Sequence, residues 1–288
     1  MQMDVGPLSF RVLGAVRVEV DAQAVKIAAP RQRALLAILL LNHNRTVSSS
    51  NLIDCIWGEV PPQHPETALH IVVCRLRRAL GPVASRLVRD SAGYRMEVGP
   101  DELDLTRADA HAGAARRSYE AGDARRAATE FDAALACWTG EPLADVTNFP
   151  FCDTATRRLR ELQLGIVESR NAAYLRCGRH LEVLPDIESW IAANPWRERL
   201  RAHHMVALYR SGRQIEALAA YDDLRRLLLT DFGVDPCEDI QQLQVRILSG
   251  DTTLLGRQSP ERTDVVILDD AELGIEYESS RARQLTVS

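Results

Sequence analysis

Lysine is almost missing from this chain: of 35 basic residues only Lys26 is a lysine, and the other 34 are arginine. Such a bias reports the codon usage of a GC-rich genome, so no single arginine reads as specially chosen. Paired cysteines are missing too. The six cysteines (Cys55, Cys74, Cys137, Cys152, Cys177 and Cys237) lie far apart, without a CxxC pair or a secretory signal. That argues against zinc and disulfide frameworks and reads as small buried hydrophobes in a reducing, cytoplasmic setting. The longest apolar run, Ala34–Leu41, is far too short to cross a bilayer, so no membrane partner is expected. No HExxH, GxSxG, paired-carboxylate or GxxxxGK[ST] constellation occurs. The seven histidines form no cluster, and adjacent His203 and His204 point to different faces of a helix. The expectation is a non-enzyme without cofactor or metal.

What is present suits two modest domains, or one domain and a tail, in 288 residues. With 46% of residues hydrophobic and 26% charged, the bulk of the chain can bury a core. The net charge of −5 is unevenly spread. Residues 1–100 hold 12 Lys and Arg against 8 Asp and Glu, whereas residues 251–288 hold 4 against 8. A basic first third points to a polyanionic partner for that part.

"LSFRVLGAVRVEVDAQAVKI" alternates apolar and polar residues around Gly14 and Asp21, which predicts a small antiparallel sheet. Pro30 then precedes a largely buried helix carrying Leu35, Ile38 and Leu39, with Leu40 or Leu41. Ser48, Ser49 and Ser50 are N-cap candidates for a second helix bearing Leu52, Ile53, Ile56 and Trp57, ended by Gly58. Pro61, Pro62 and Pro65 keep the next stretch from being helical. A third helix starts near Glu66 or Thr67 and stops at Gly81-Pro82. On a wheel of about 100° per residue centred on Leu76, the residues Leu69, Val72, Val73 and Leu80 form the buried stripe. Thr67, Ile71, Cys74 and Arg78 lie opposite, flanked by His70, Arg75 and Arg77. A merely solvated face rarely carries Ile71 and Cys74, but a base-reading face tolerates them, since small apolar side chains can meet thymine methyls. "RLVRDSAGYRMEV" then reads as a β-hairpin turning at Asp90-Ser91-Ala92-Gly93. This element order is that of a winged helix-turn-helix.

The segments "RQRALLAILLL", "LIDCIWGEVPP", "VVCRLRRALG" and "GYRMEV" resemble the OmpR-type DNA-binding domain of Streptomyces antibiotic regulatory proteins, over residues 8–100. Cys74 stands where that family often has Ser. "YEAGDARRAATEF", "YLRCGRHLEVLPDI" and "LYRSGRQIEALAAY" echo one another, and Gly178 and Gly212 stand 34 residues apart, the tetratricopeptide period. Ala127 with Phe131, Val183 with Ile187 and Ala217 with Tyr221 occupy the repeat's packing positions, and Pro195 its closing one. "LDLTRADAHAG", "WTGEPLADV" and "FGVDPCEDIQQLQVRIL" resemble the bacterial transcriptional activation domain of the same family. After Asp251 periodicity is lost, leaving an acidic, mobile tail in which "VVILDD" is at most an edge strand.

The expected fold is therefore mainly α with a small β part. A winged helix-turn-helix with an antiparallel sheet (residues 1–100) precedes a tetratricopeptide-like helical domain (101–250) and a tail (251–288). On the wheel, Thr67, His70, Ile71, Cys74 and Arg78 face base edges and Arg75 and Arg77 grip phosphates, while Arg89, Tyr94 and Arg95 belong to the DNA-binding wing, whose Arg89 and Arg95 touch the backbone or minor groove. The resemblance implies an activator of an antibiotic biosynthetic cluster, which binds direct repeats in double-stranded DNA as a homodimer. It also implies that the loop from Trp57 through Glu59, Pro62 and His64 meets the sigma and alpha subunits of RNA polymerase. The residues alone leave that loop equally a rigid connector. A protein–protein scaffold built on the repeats, without DNA reading, stays open as the alternative.

Overall fold

Alternating residues at the start of the chain need a partner strand to pair their backbone groups, and they find it locally. The computed structural model describes residues 7–255. In it β1 (Leu8–Arg11), β2 (Arg17–Val20) and β3 (Gln23–Ala24) form an antiparallel meander with Phe10 opposite Val18. Asp21 and Ala22 turn β2 into β3 with φ of 51° and 61°, a two-residue hairpin whose twist suits the strands.

Helix α1 (Pro30–Leu41) begins on proline at its first turn and buries every residue from Ala34 to Leu40. A helix apolar on all sides belongs in the middle of a core, and α2 (Ser49–Trp57) and α3 (Pro65–Leu80) both pack on it. The second sheet has the order β4 (Val47–Ser48), β6 (Gly93–Met96), β5 (Leu87–Arg89), so the hairpin β5–β6 is anchored beside the start of α2. Gly93 closes the expected Asp90–Gly93 turn, its amide donating to the Asp90 carbonyl at 3.4 Å, and opens β6 opposite Ser48. A Cβ there would sit 1.9 Å from the Val47 carbonyl oxygen.

The sequence changes character near residue 100, but packing does not. The described chain divides into two compact units, residues 7–170 and 171–255. Residues 102–145 stay with the first unit because they complete the hydrogen bonding of β1 and its following turn. The buried Asp104 carboxylate accepts from the amides of Val12 (3.0 Å) and Leu13 (2.9 Å). Phe10 donates to the Glu102 carbonyl, Thr139 to that of Leu13 and Leu143 to that of Val12. Asp145 accepts from the Val16 amide at 2.8 Å and holds the Arg33 guanidinium at 2.8 Å. Burial pushes the Asp104 carboxyl up, against the downward pull of those amides.

The helices that follow are α4 (Asp104–Glu120), α5 (Ala124–Leu135), α6 (Cys152–Arg176), α7 (Leu184–Ala193), α8 (Glu198–Arg210), α9 (Gln214–Phe232) and α10 (Glu238–Leu248). The three echoing fragments share one helix stop. Gly122, Gly178 and Gly212 take φ of 85°, 78° and 77°, a left-handed conformation that glycine adopts without a Cβ penalty. Past each glycine the next amide reaches back five residues: Asp123 to Ser118 (2.9 Å), Arg179 to Tyr174 (2.8 Å) and Arg213 to Leu208 (2.9 Å). That satisfies carbonyls a helix end would leave bare. Ala127, Phe131, Val183, Ile187, Ala217 and Tyr221 are all buried.

The start of the expected mobile tail is instead ordered. Thr252–Leu255 form a 3-10 turn, Leu254 is buried, and Arg210 Nε donates to its carbonyl at 2.6 Å. The Thr253 hydroxyl and the Arg246 guanidinium, both bonded to Asp251, pull its pKa from 3.8 to about 2. The "VVILDD" run, Val265–Asp270, lies outside the described residues.

Two substitutions test these contacts. Gly93→Ala forces β4 and β6 apart and is expected to cost about 1–3 kcal/mol, as overpacking does. Chemical denaturation measures this, and an unchanged midpoint removes the close approach. Asp104→Ala removes the acceptor shared by the Val12, Leu13 and Leu105 amides and is expected to cost about 1–3 kcal/mol. Hydrogen exchange at Val12 and Leu13 should speed up in that variant, whereas unaltered protection would show that the carboxylate does not hold them.

Candidate nucleic-acid interface

Three short-range devices set the position of α3. Ser48 accepts from the Asn51 amide at 3.2 Å and so caps α2. Gly58, with φ of 59°, ends α2 and turns the chain into the loop Glu59–His64. Pro65 opens α3 one residue ahead of the expected start, since its fixed φ suits the first helical position and its missing N–H costs nothing there.

The predicted buried stripe is found whole: Leu69, Val72, Val73, Leu76 and Leu80 are buried. On the other side Thr67, His70, Ile71, Cys74, Arg75 and Arg78 are exposed, with Ile71 at 45%. The His70 Nε2 and Cys74 Sγ atoms lie 3.4 Å apart, one helical turn from each other. Arg75 and Arg78 make no ion pair or hydrogen bond among the described residues. They offer two guanidiniums to solvent beside apolar Ile71.

Three of the sequence assignments need correction. Arg77 is half-buried, and its Nε and Nη2 donate to the Leu87 carbonyl at 3.3 and 2.8 Å, so its hydrogen bonding goes to protein rather than to a phosphate. Tyr94 is 4% exposed and pairs with Val47 inside the second sheet; it is a core residue and not a wing surface residue. Its place follows from strand alternation, in which the residue after the close-packed Gly93 turns to the core. Arg95 is half-buried and bridges Glu97 (2.9 Å) and Asp90 (3.8 Å), so its charge is answered within the wing. Arg89 alone among the named wing residues is exposed without a partner in the described residues.

The wing tip is held by a contact that local patterns do not reveal. Thr46 Oγ1 donates to Asp90 at 2.9 Å, and that bond, followed by the Ser91 amide, draws the Asp90 carboxyl below its ordinary range. These two residues lie 44 positions apart, so no short-range signal links them. In the proline loop, Glu59 and His64 are exposed, Pro62 is half-buried, and Val60 is 82% exposed. Trp57 is half-buried with the Arg31 guanidinium 6.0 Å from its ring centre, a cation–π arrangement. A dent of about 510 Å³ lies between α2 and the start of α3, lined by Ile53, Asp54, Pro61, His64 and Glu66 among others.

Comparison with known proteins gives the family. Residues 24–96 match the family described as "Transcriptional regulatory protein, C terminal", and residues 103–248 match "Bacterial transcriptional activator domain". The regulatory protein DnrI of Streptomyces peucetius is 32% identical over 263 residues, which cover 88% of this chain and 96% of DnrI. The chain belongs to the Streptomyces antibiotic regulatory protein family. The regulatory protein AfsR of Streptomyces coelicolor is 44% identical over 250 residues, or 86% of this chain. Those residues are only 25% of AfsR, so the chain spans about a quarter of that relative. Among solved structures, Mycobacterium tuberculosis EmbR in complex with a low-affinity phosphopeptide superposes with a TM-score of 0.81 at 32% identity, covering 85% of this chain and 65% of EmbR. The mainly helical fold with small N-terminal antiparallel sheets is that of the family.

The family face of α3 carries a chemical marker. Cys74 is exposed, whereas burial and the neighbouring Asp54 push the Cys55 thiol up to about 11. Since the thiolate is the nucleophile, alkylation of the folded protein at pH 8 is expected to modify Cys74 and spare Cys55 until denaturant is added. Mass spectrometry of the peptides decides, and equal labelling would contradict the burial of α2.

Proposed function

We propose that this protein is a sequence-specific DNA-binding transcriptional activator of a secondary-metabolite, typically antibiotic, biosynthetic gene cluster. One observation carries the reading. The outward face of α3 combines the exposed guanidiniums of Arg75 and Arg78 with Thr67, His70, Ile71 and Cys74, while its leucines are locked inside. Phosphate neutralisation needs the first set, and base-edge recognition needs a mixed polar and apolar surface. Residues 1–100 act as the DNA-binding module, with α3 in the major groove and Arg89 of the wing on the backbone. Arg75 takes a phosphate, and Thr67, His70, Ile71, Cys74 and Arg78 meet base edges.

Two protomers sit on direct repeats about one helical turn apart, so that both copies of α3 meet the same face of the duplex. Residues 101–250 supply the tetratricopeptide-like surface that aids this pairing in the cytoplasm. The loop with Glu59, exposed Val60, Pro62 and His64, next to the Asp54–Glu66 dent, engages the sigma and alpha subunits of RNA polymerase. Trp57, half-buried beneath the Arg31 guanidinium at the foot of that loop, belongs to the same surface.

A gel shift against the promoters neighbouring its own gene, at two salt concentrations, tests the reading. Specific binding that weakens steeply with salt is expected, and no binding even at low salt would leave the scaffold as the answer. Arg78→Ala is expected to cost about 1–3 kcal/mol on the specific site and to relax the preference at one base pair. An equal loss on unrelated sequences would move Arg78 from bases to backbone.

A further inference from the structure

Arg77 stands in the last turn of α3, between Arg75 and Arg78, yet its hydrogen bonds turn inward. Its Nε and Nη2 converge on one acceptor, the Leu87 carbonyl, at 3.3 and 2.8 Å. Leu87 is buried and opens β5, on the far side of the 3-10 turn Gly81–Arg86. A planar guanidinium giving two donors to one oxygen restrains direction as well as distance. The contact therefore ties the C-terminal end of α3 to the base of the hairpin two residues before Arg89.

The rest of the hairpin is restrained in the same manner. Leu87 pairs with Met96, Val88 with Arg95 and Arg89 with Tyr94. Tyr94 is buried, Arg95 bridges Glu97 and Asp90, and Asp90 is bonded to Thr46. Arg86, just before β5, pairs with Glu102 at 3.1 Å. Every other arginine between residues 77 and 95 that touches the hairpin is occupied, except Arg89, which is exposed and has no partner among the described residues. Cooperation between a recognition helix and a wing depends on their spacing, since both must meet one duplex whose phosphates are fixed relative to its grooves.

We propose that Arg77 is a positioning residue: by holding the Leu87 carbonyl it sets the distance from the outward face of α3 to Arg89, so that both reach DNA together. The inference rests on α3 and the wing being a DNA-contacting surface, and the test separates the two ideas. Four full-length proteins form a double-mutant cycle: wild type, Arg89→Ala, Arg77→Met and the double variant. Affinity for a promoter fragment is measured across a salt series, with circular dichroism checking that each protein is folded. In the wild-type background Arg89→Ala should lower the slope of log affinity against log salt by about one, the signature of one lost phosphate contact. Arg77→Met should lower it similarly although Arg89 is still present, and adding Arg89→Ala should then cause no further loss. Arg77→Lys, which keeps a donor for Leu87, should restore part of the Arg89 effect.

Additive losses, with each substitution lowering the slope by about one, would make Arg77 an independent phosphate contact and overturn the proposal. So would an Arg89→Ala variant that binds like the wild type. If Arg77→Met does not fold, Arg77→Gln decides the same point: uncharged yet still able to donate to the Leu87 carbonyl, it should keep a salt slope near that of the wild type, whereas a slope lowered by about one would make Arg77 a phosphate contact. Failure of the wild type to bind DNA at low salt would instead defeat the underlying DNA reading.

Discussion

The contact between α3 and α1 is the constraint from which the outward chemistry follows. Leu69, Val72, Val73, Leu76 and Leu80 are buried on one side of α3, and α1 is buried nearly all round. Each such side chain stabilises by about 1.5–3 kcal/mol when removed from water, so rotating α3 by even one position would forfeit several of them. With the helix phase locked, Thr67, His70, Ile71, Cys74, Arg75 and Arg78 have no choice but to face out. Their exposure needs no separate cause, and it places cationic and apolar groups side by side.

The residues that were legible in the sequence are those governed by period and by local stops. The stripe of α3, the cap at Ser48, the ending of α2 at Gly58 and the three glycine turns at 122, 178 and 212 depend on neighbours within a few positions. What could not be read depends on distant partners. Nothing near Arg77 announces the Leu87 carbonyl, and nothing near Asp90 announces Thr46. The burial of Tyr94 follows from pairing with Val47, a register that only the folded sheet sets. An aromatic in a hairpin beside two arginines reads equally as core or as surface until that register is known. Gly93 did carry a signal: glycine inside a strand pattern often marks a close backbone approach, and here the neighbour is the Val47 carbonyl.

The two ways of dividing the chain answer different questions. Similarity to the two domain families changes over between residues 96 and 103. Packing divides the chain between residues 170 and 171. The gap between them is filled by the groups that close the first sheet: the Glu102 carbonyl, the Asp104 carboxylate, the Thr139 and Leu143 amides, and Asp145.

That closure bears on how regulators of this kind can be recombined. A chimera joined at the family border would give β1 a foreign successor, one with no obligation to supply a buried carboxylate for the Val12 and Leu13 amides. Bare amides against an apolar core make such a hybrid fragile whatever operator it is meant to recognise. Joined beyond residue 170 instead, the transplanted reader would bring its own stitching and keep its aim.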